Sequence, residues 1–597
     1  MTEAHPPVTT EDRREQNQRA ERWAVSLKKN STFPSWKQWK VLRHYLDPKE
    51  SRRLLAFIFT IAICAGILLG RGYHANTIAI PASGGEYTEA LVGAPQFINP
   101  LYASTSDTDL DLTQLVYTGL LRVNKEQKLI PDLATGYEIS EDQLTYTFHL
   151  RDDVRFHDGQ SFTAEDVAFT ILAIQNPAYA SPLRGSFAGA QINVTDPATI
   201  QFILPEAFTP FLSSLTVGIL PKHLWQDIPP DAAKLNERNI RPIGTGSYQF
   251  DQLIKEDNGF IRSYRLIRNA RFYRDVPHIE KLTFQLYSDL YGAINATEQK
   301  IVDGISFIPK QTRVELEKNN QTLRFYNLSL PQYSAVFFNQ NQSKILASAK
   351  IREALTQATD KERIIREALN GEGQVIHGPI LPGYSGYHSD VKKYLLNIEE
   401  AKTILDAAGW KPEKNGVRWK DSVELNFSLT TSTQPELQKT VTILKEDWEK
   451  IGARVDLKTV DQANVFRDVI KPRNYDALVF GQIVGSDPDP YPFWHSSQAV
   501  DPGLNLAIFF NKTVNRLLED ARKEKDDNER GKKYIAFQNI LAEEEFPAIF
   551  LYSPTYVYAV DRRVKGVRSS YITSPADRFA SISEWYIKTD RRWKINQ

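Results

Sequence analysis

Residues 475–494 read YDALVFGQIVGSDPDPYPFW. The first half is a strand, because Ala477, Leu478, Val479 and Phe480 form a short apolar run suited to a covered sheet. The second half breaks that pattern. Gly481 and Gly485 admit backbone conformations and close approaches that a side chain blocks, and Pro488, Pro490 and Pro492 stop either a helix or a regular ladder. A strand therefore runs out of a sheet into glycine, two acids and aromatic rings. Such a loop is either an acidic surface turn or one wall of a binding site, and its neighbours have to decide.

Those neighbours supply a sheet. Leu437, Val441, Leu444, Trp448 and Ile451 repeat at four and three and stop at Gly452, which predicts a helix. A strand follows at 454–459, a helix at 463–469, and then the 477–480 run. Strand, helix, strand in this order suggests a βαβ unit with parallel strands, and ligands of open α/β sheets sit at the strand carboxyl ends. Residues 484–494 fall there. Farther upstream, Ile351, Leu355, Ala358, Ile364, Ile365 and Leu369 mark helical faces that Gly371 closes. Leu144, Tyr146, Phe148 and Leu150 alternate with polar residues as a half-buried antiparallel strand. Thr163 and Asp166 form a capping box before the apolar run 167–174. Glu86–Val92 reads as a first strand, 110–121 as a helix and 129–133, interrupted by Pro131, as a connection.

The chain has 597 residues, room for about three to four domains, and its 73 basic and 73 acidic residues leave no field that advertises a nucleic acid. Cys64, the sole cysteine, excludes an intramolecular disulfide and a thiolate cluster. Residues 1–32 read as a disordered tail. Phe33, Trp36, Trp39, Leu42 and Leu46, interleaved with Lys37, Lys40 and Arg43, read as an interfacial helix over 33–46, with a short packed helix as the alternative. Residues 54–70 are uncharged and apolar, at the lower limit for a bilayer span, and basic residues outnumber acidic ones 12 to 7 over residues 1–53. The expected topology is a single-pass signal anchor at 54–70 with residues 1–53 in the cytoplasm, a tether at 71–83 and the remaining chain exported. The large Ile63 before Cys64 argues against lipidation, and an uncleaved anchor is preferred to a cleaved signal because no small-x-small site precedes Ala79 or Ala82.

Asn99-Pro100-Leu101, Leu120-Leu121, Pro131-Asp132-Leu133-Ala134, YTFHLRDDVRFHDG (146–159) and FTAEDVAFT (162–170) resemble, in order and spacing, the family 5 extracellular solute-binding proteins, receptors of ABC importers for oligopeptides, dipeptides and nickel. Ile243-Gly244-Thr245-Gly246-Ser247-Tyr248, Phe338-Asn339, KIREALTQATDKERII (350–365) and NIEEAKTILDAAGW (397–410) extend the resemblance over residues 84–580.

The resemblance implies a two-lobed, periplasmic-binding-protein-like α/β fold with an extra domain inserted in the first lobe. Lobe I would comprise 84–104, 236–330 and 546–597, the insert 105–235 and lobe II 331–545, with hinges near Leu330-Pro331 and Phe546-Pro547. It also implies a receptor, not an enzyme, that passes peptides to a permease and ATPase. The peptide would be held by main-chain hydrogen bonds in a closing cleft, between Ala94-Pro95-Gln96 and the segment with Gln482, Val484 and Gly485, and Trp494 is included among the contacts. Peptide-binding members often carry an aspartate for the peptide's amine where Ser486 stands here. Asp487, one residue later, can do that job, or the ligand has no free amine.

Other chemistries have less support. Asp487 and Asp489 are too close for a carboxylate pair acting across a scissile bond, and no nucleophile elbow or phosphate loop appears. His495 is retained as a metal-chelate contact, and no cofactor is expected. The alternatives to a peptide receptor are a receptor for a metal chelate or oligosaccharide and a membrane-anchored sensor of cleft closure.

Overall fold

The computed structural model describes residues 47–594 apart from 125–127, 414, 486, 488, 502 and 569–571. The expected interfacial helix 33–46 and Ser486 lie outside the described residues. The chain separates into two units, residues 1–80 with 589–597, and residues 81–588.

In the first unit, helix α1 (Pro48–Asn76) extends the expected 54–70 span by six residues at each end. Asp47 and Glu50 form a capping box and Pro48 takes a first-turn position, so the helix starts six residues ahead of the apolar stretch. None of α1 is buried, and among the described residues it is the one helix long and apolar enough to cross a membrane. The stretch expected to be a tether instead contains strand β1 (Thr77–Ala82), paired with the chain's last strand, Lys588–Trp593. The alternation in Thr77-Ile78-Ala79-Ile80 permits this, because β-branched residues favour extended backbone.

The second unit has two lobes of mixed α/β structure. Strand β2 (Glu86–Val92) follows, then helix α2 (Asp107–Val116), which ends before Gly119 when Tyr117 turns extended. Strands β3 (Ala134–Ile139), β4 (Thr145–Leu150), β5 (Gln191–Asp196) and β6 (Thr199–Ile203) form an antiparallel sheet in the order β3-β4-β6-β5. Helix α3 (Ala164–Gln175) carries the expected Thr163–Asp166 capping box. The region read as a connection at 129–133 begins with a short strand, Leu129–Pro131, paired to Leu121–Val123.

Strands β7 (Tyr248–Lys255), β8 (Ile261–Arg268), β9 (Lys281–Tyr287), β10 (Leu323–Ser329), β11 (Gln332–Phe338), β12 (Asn426–Ser432), β13 (Arg454–Val460), β14 (Ala477–Ile483) and β15 (Ala548–Asp561), with the short strands Gly304–Ile305 and Gly373–Val375, join β2 in a 12-stranded sheet. Helix α4 (Pro435–Glu449) links β12 to β13, and β12 pairs in parallel with both β13 and β14. The expected parallel strands are present, but β12 lies between them.

Strand β15 runs through both lobes. Its residues 548–554 pair with β11 and with Gly373–Val375, and its residues 555–561 pair with β10 and with Gly304–Ile305. Ile549 and Leu551 pack in the second-lobe core, whereas Tyr558 and Val560 pack in the first. The second crossover thus lies inside a strand near Pro554-Thr555, several residues beyond the expected hinge at Phe546-Pro547.

A buried ionic cluster holds the first lobe. Arg578, fully buried, donates from Nε to Glu89 at 2.8 Å and from Nη1 and Nη2 to Asp111 at 2.6 and 2.5 Å. Tyr87 and Tyr558 donate to the other Glu89 oxygen at 2.7 and 2.8 Å. One cluster therefore ties β2, α2, β15 and the C-terminal segment. Nearby, the glycine-rich turn 243–248 abuts α2: a Cβ on Gly244 would stand 2.1 Å from the Val116 carbonyl oxygen. His157 docks on the same turn, accepting at Nδ1 from the Gly244 amide (3.2 Å) with Nε2 3.1 Å from the Gly246 carbonyl.

Two predictions follow from these contacts. Arg578→Met leaves Glu89 and Asp111 buried without their cation and should cost about 3–5 kcal/mol in urea unfolding at neutral pH. Burial holds the His157 pKa down at about 4. The unfolded chain takes up that proton near pH 6.5 and the folded chain refuses it until about pH 4, so stability should fall as pH drops through this window, by up to ~3 kcal/mol. In His157→Gln this component should vanish, which thermal melts of both proteins at pH 7 and pH 4.5 would measure.

Candidate functional site

The loop that leaves β14 is fixed by its own side chains. Asp487 Oδ1 accepts the Asp489 amide at 2.9 Å, and Asp489 Oδ1 accepts the Tyr491 amide at 3.1 Å. Each acid also meets an arginine. Helix α5 (Lys512–Arg522) brings Arg522 to Asp489 at 2.7 Å, and helix α6 (Asp527–Asn539) brings Arg530 to Asp487 Oδ1 at 2.5 Å. The Asp487 side chain is 18 % exposed and that of Arg530 5 %. Burial pushes the Asp487 carboxyl up while Arg530 pulls it down. The carboxylate expected to meet an amine is thus already ion-paired through Oδ1, and Oδ2 accepts no bond among the described residues.

The other expected contacts are divided between wall and core. Gln482 is buried, accepting from the Tyr333 hydroxyl (2.6 Å) and donating to the Leu504 carbonyl (2.9 Å). The Val484 amide donates to Pro331 O at 2.8 Å, and the Gly485 carbonyl accepts the Tyr384 hydroxyl at 2.7 Å. Trp494 is not at a surface: it is 1 % exposed and packs against Phe337, Phe537 and Phe550. Its place in an apolar cluster beneath the loop explains why a tryptophan ends the segment. His495 has both ring nitrogens engaged, Nδ1 with Ser497 (2.7 Å) and Nε2 with Glu519 (3.0 Å), and stacks on Tyr491. On the first-lobe side Ala94 is half-buried, Pro95 buried and Gln96 exposed, and the Gln96 amide donates to Asp109 at 2.7 Å.

The first lobe presents a cavity of about 1170 Å³ between α2, the segment 213–218 and the C-terminal stretch 567–584. Thr113, Gln114, Tyr117, Arg122, Arg274 and Asp577 line it, together with several serines, whereas residues 94–96, 482–485 and 487 do not. Thr113 Oγ1, Tyr117 OH and Arg122 Nε are buried atoms without a hydrogen-bond partner among the described residues. Orphaned buried groups are rare, and these three lie beneath the cavity surface with no solvent contact of their own. Two other cations of this wall are paired, Arg274 with Asp132 at 3.3 Å and Arg568 with Glu584 at 3.9 Å. Burial and the Arg274 charge both lower the Arg122 pKa.

Charges from both lobes converge on Tyr384. Its hydroxyl pKa is raised first by burial, then by Asp487 of the second lobe and Asp577 of the first. Asp577 caps the turn after Ser574 and accepts from Gln114 at 2.9 Å. The pattern Ser574-x-x-Asp577 is a legible capping box; the contact of Gln114 with Asp577 has no sequence signal, since the two come from distant segments.

Residues 128–502 match the family model described as bacterial extracellular solute-binding proteins, family 5. The oligopeptide-binding protein AppA of Bacillus subtilis is 26 % identical over 561 residues, covering 90 % of this chain and 99 % of that protein. The structure of AppA in complex with a nonapeptide superposes with a TM-score of 0.70 at 26 % identity, covering 85 % of this chain and all of that one. NikZ from Campylobacter jejuni, in complex with Ni(L-His), gives a TM-score of 0.71 at 27 % identity, covering 84 % and 99 % of the two chains.

Proposed function

Because the chain belongs to the bacterial extracellular solute-binding proteins of family 5, we propose that it captures peptides between its two lobes and delivers them to the permease and ATPase of an ABC importer. The observation that carries this reading is the 1170 Å³ cavity in the face of the first lobe, which the second lobe would cover on closure. It exceeds the usual range for small-molecule pockets, roughly 300–1,000 Å³. An extended peptide brings a donor and an acceptor per residue to such a wall. AppA, with its nonapeptide, supports the same ligand class. Residues 105–235, which hold β3–β6, act as a domain inserted in the first lobe, and the loop 484–487 closes the cleft from the second. Closure excludes water and strengthens each polar contact.

In this reading α1 is an uncleaved anchor, with residues 1–53 in the cytoplasm and the binding lobes on the extracytoplasmic face. The ion pair between Asp487 and Arg530 supports a second reading, a solute without a free amine such as a metal chelate, because the acid is already partly neutralised. NikZ, whose complex holds Ni(L-His), is a relative that binds such a species.

Native mass spectrometry of the purified protein separates the two: a ladder of peptide masses supports the first and a single discrete mass the second. If peptides bind with the amine at Asp487 Oδ2, Asp487→Asn should weaken free-amine peptides by about tenfold to a hundredfold while sparing their N-acetylated forms. Equal losses in calorimetric titration would reject the amine contact.

A further inference from the structure

The unit containing α1 has a feature that neither ligand capture nor a simple anchor requires. The apolar stretch of α1 ends at Gly70, and Arg71, Tyr73 and His74 complete the helix. Directly beyond it, β1 takes the last strand of the chain, Lys588–Trp593, as its partner. Trp593 packs edge-on against Tyr73, with ring centroids 5.7 Å apart. The Lys594 amide donates to the Asn76 carbonyl at 2.7 Å, and Arg591 Nη1 donates to Thr77 Oγ1 at 2.8 Å. The C-terminal strand is thereby fixed at the helix exit. Tyr73, and Trp593 with it, lie about 4–5 Å along the axis past Gly70, at 1.5 Å per residue.

Exposure and charge in this strand have the same direction. Trp593 is 60 % exposed and Tyr73 43 %, and residues 588–594 are exposed throughout. Lys588, Arg591, Arg592 and Lys594 face a single acid, Asp590. A basic run on a free tail is ordinarily only solvated. Here strand pairing holds it beside exposed rings at the end of an apolar span, where a bilayer places its headgroups and where tryptophan, tyrosine and cations gather.

We propose that the C-terminal strand is a second membrane contact. Trp593 enters the headgroup layer beside Tyr73, and Arg591, Arg592 and Lys594 bind anionic phospholipid headgroups of the extracytoplasmic leaflet. The proposal rests on the reading of α1 as an uncleaved span. It makes the chain's exit from the membrane a two-strand clamp, from which both connections to residues 81–588 depart.

The test uses the full-length protein in nanodiscs of phosphatidylcholine with phosphatidylglycerol, some with brominated acyl chains. Comparison of wild type with Trp593→Phe isolates one ring from the other tryptophans. The expected result is less bromine quenching of the total fluorescence in the variant than in wild type. Arg592→Glu with Lys594→Glu spares the Arg591 contact, and it should reduce phosphatidylglycerol retained by the purified protein about tenfold. Equal quenching in wild type and Trp593→Phe, or unchanged lipid retention, would overturn the proposal. Mass spectrometry of the same samples identifies the cause of failure: loss of the Met1 peptide overturns the anchor and this contact together, whereas an intact Met1 peptide with equal quenching overturns this contact alone.

Discussion

The constraint on which both lobes depend is the single strand β15. Most two-lobed arrangements can be pictured as rigid bodies on flexible links, but here 14 consecutive residues form ladder bonds first with one lobe and then with the other. Motion between lobes must therefore appear as twist within the sheet. The point of least resistance is identifiable. Pro554 stands where the partner changes and has no amide to give, and opposite it is Gly373, which has no side chain to lock the register. The β10–β11 crossing at Leu330-Pro331 lies beside it and repeats the device. Two prolines at two adjacent crossings leave a narrow line along which the sheet can bend without breaking a buried ladder.

The far side of the second lobe bears a contact of a different strength. Arg522, while paired to Asp489, lies over the Tyr491 ring at 3.7 Å and over Phe208 at 5.0 Å. Phe208 is carried by the 105–235 region, whose Thr209 amide and hydroxyl donate to the Arg522 and Glu524 carbonyls at 3.0 Å each. Exposed cation–π contacts are worth about 0.5–1 kcal/mol and net hydrogen bonds about 1 kcal/mol. The sum is enough to bias an open–closed equilibrium by one or two orders of magnitude and too small to lock it. The same arginine holds Asp489 in the loop after β14, so the shape of that loop and the contact with the 105–235 region are coupled through one side chain.

What was legible in the sequence was whatever is local. The alternation of 144–150, the Thr163–Asp166 box and the 437–451 repeat are set by neighbours a few residues away, and each became the expected element. Strand β12 escaped notice because NFSLTTS is largely polar, yet nearly all of it is buried. Its Ser428 takes up Asp476, so its polarity is satisfied by another segment. The tether failed for the same reason: Thr77–Ala82 is a strand only because the chain's end returns to it. In the site, Asp487 was readable as an acid at a strand end, but its partner Arg530 lies 43 residues on and its approach depends on how α6 packs. Trp494 was read as a ring for a ligand because a sequence cannot tell an aromatic residue facing a cleft from one beneath it.

Arg530 also sets the charge of the loop after β14. Two acids, Asp487 and Asp489, stand two residues apart in a mostly buried turn, and without cations their repulsion and desolvation would keep one protonated. Each has its own arginine, supplied from α5 and α6, so the turn is nearly neutral before any ligand arrives. A ligand that displaced Arg530 would leave a buried guanidinium unpaired, at about 3–5 kcal/mol. A ligand that used the remaining Asp487 edge would not. Oδ1 is filled by Arg530 and the Asp489 amide, and Oδ2 accepts no bond among the described residues, so in the proposed peptide reading an ammonium would add to the pair without breaking it. In that proposed contact the arginine would orient the carboxylate for the ligand rather than compete with it.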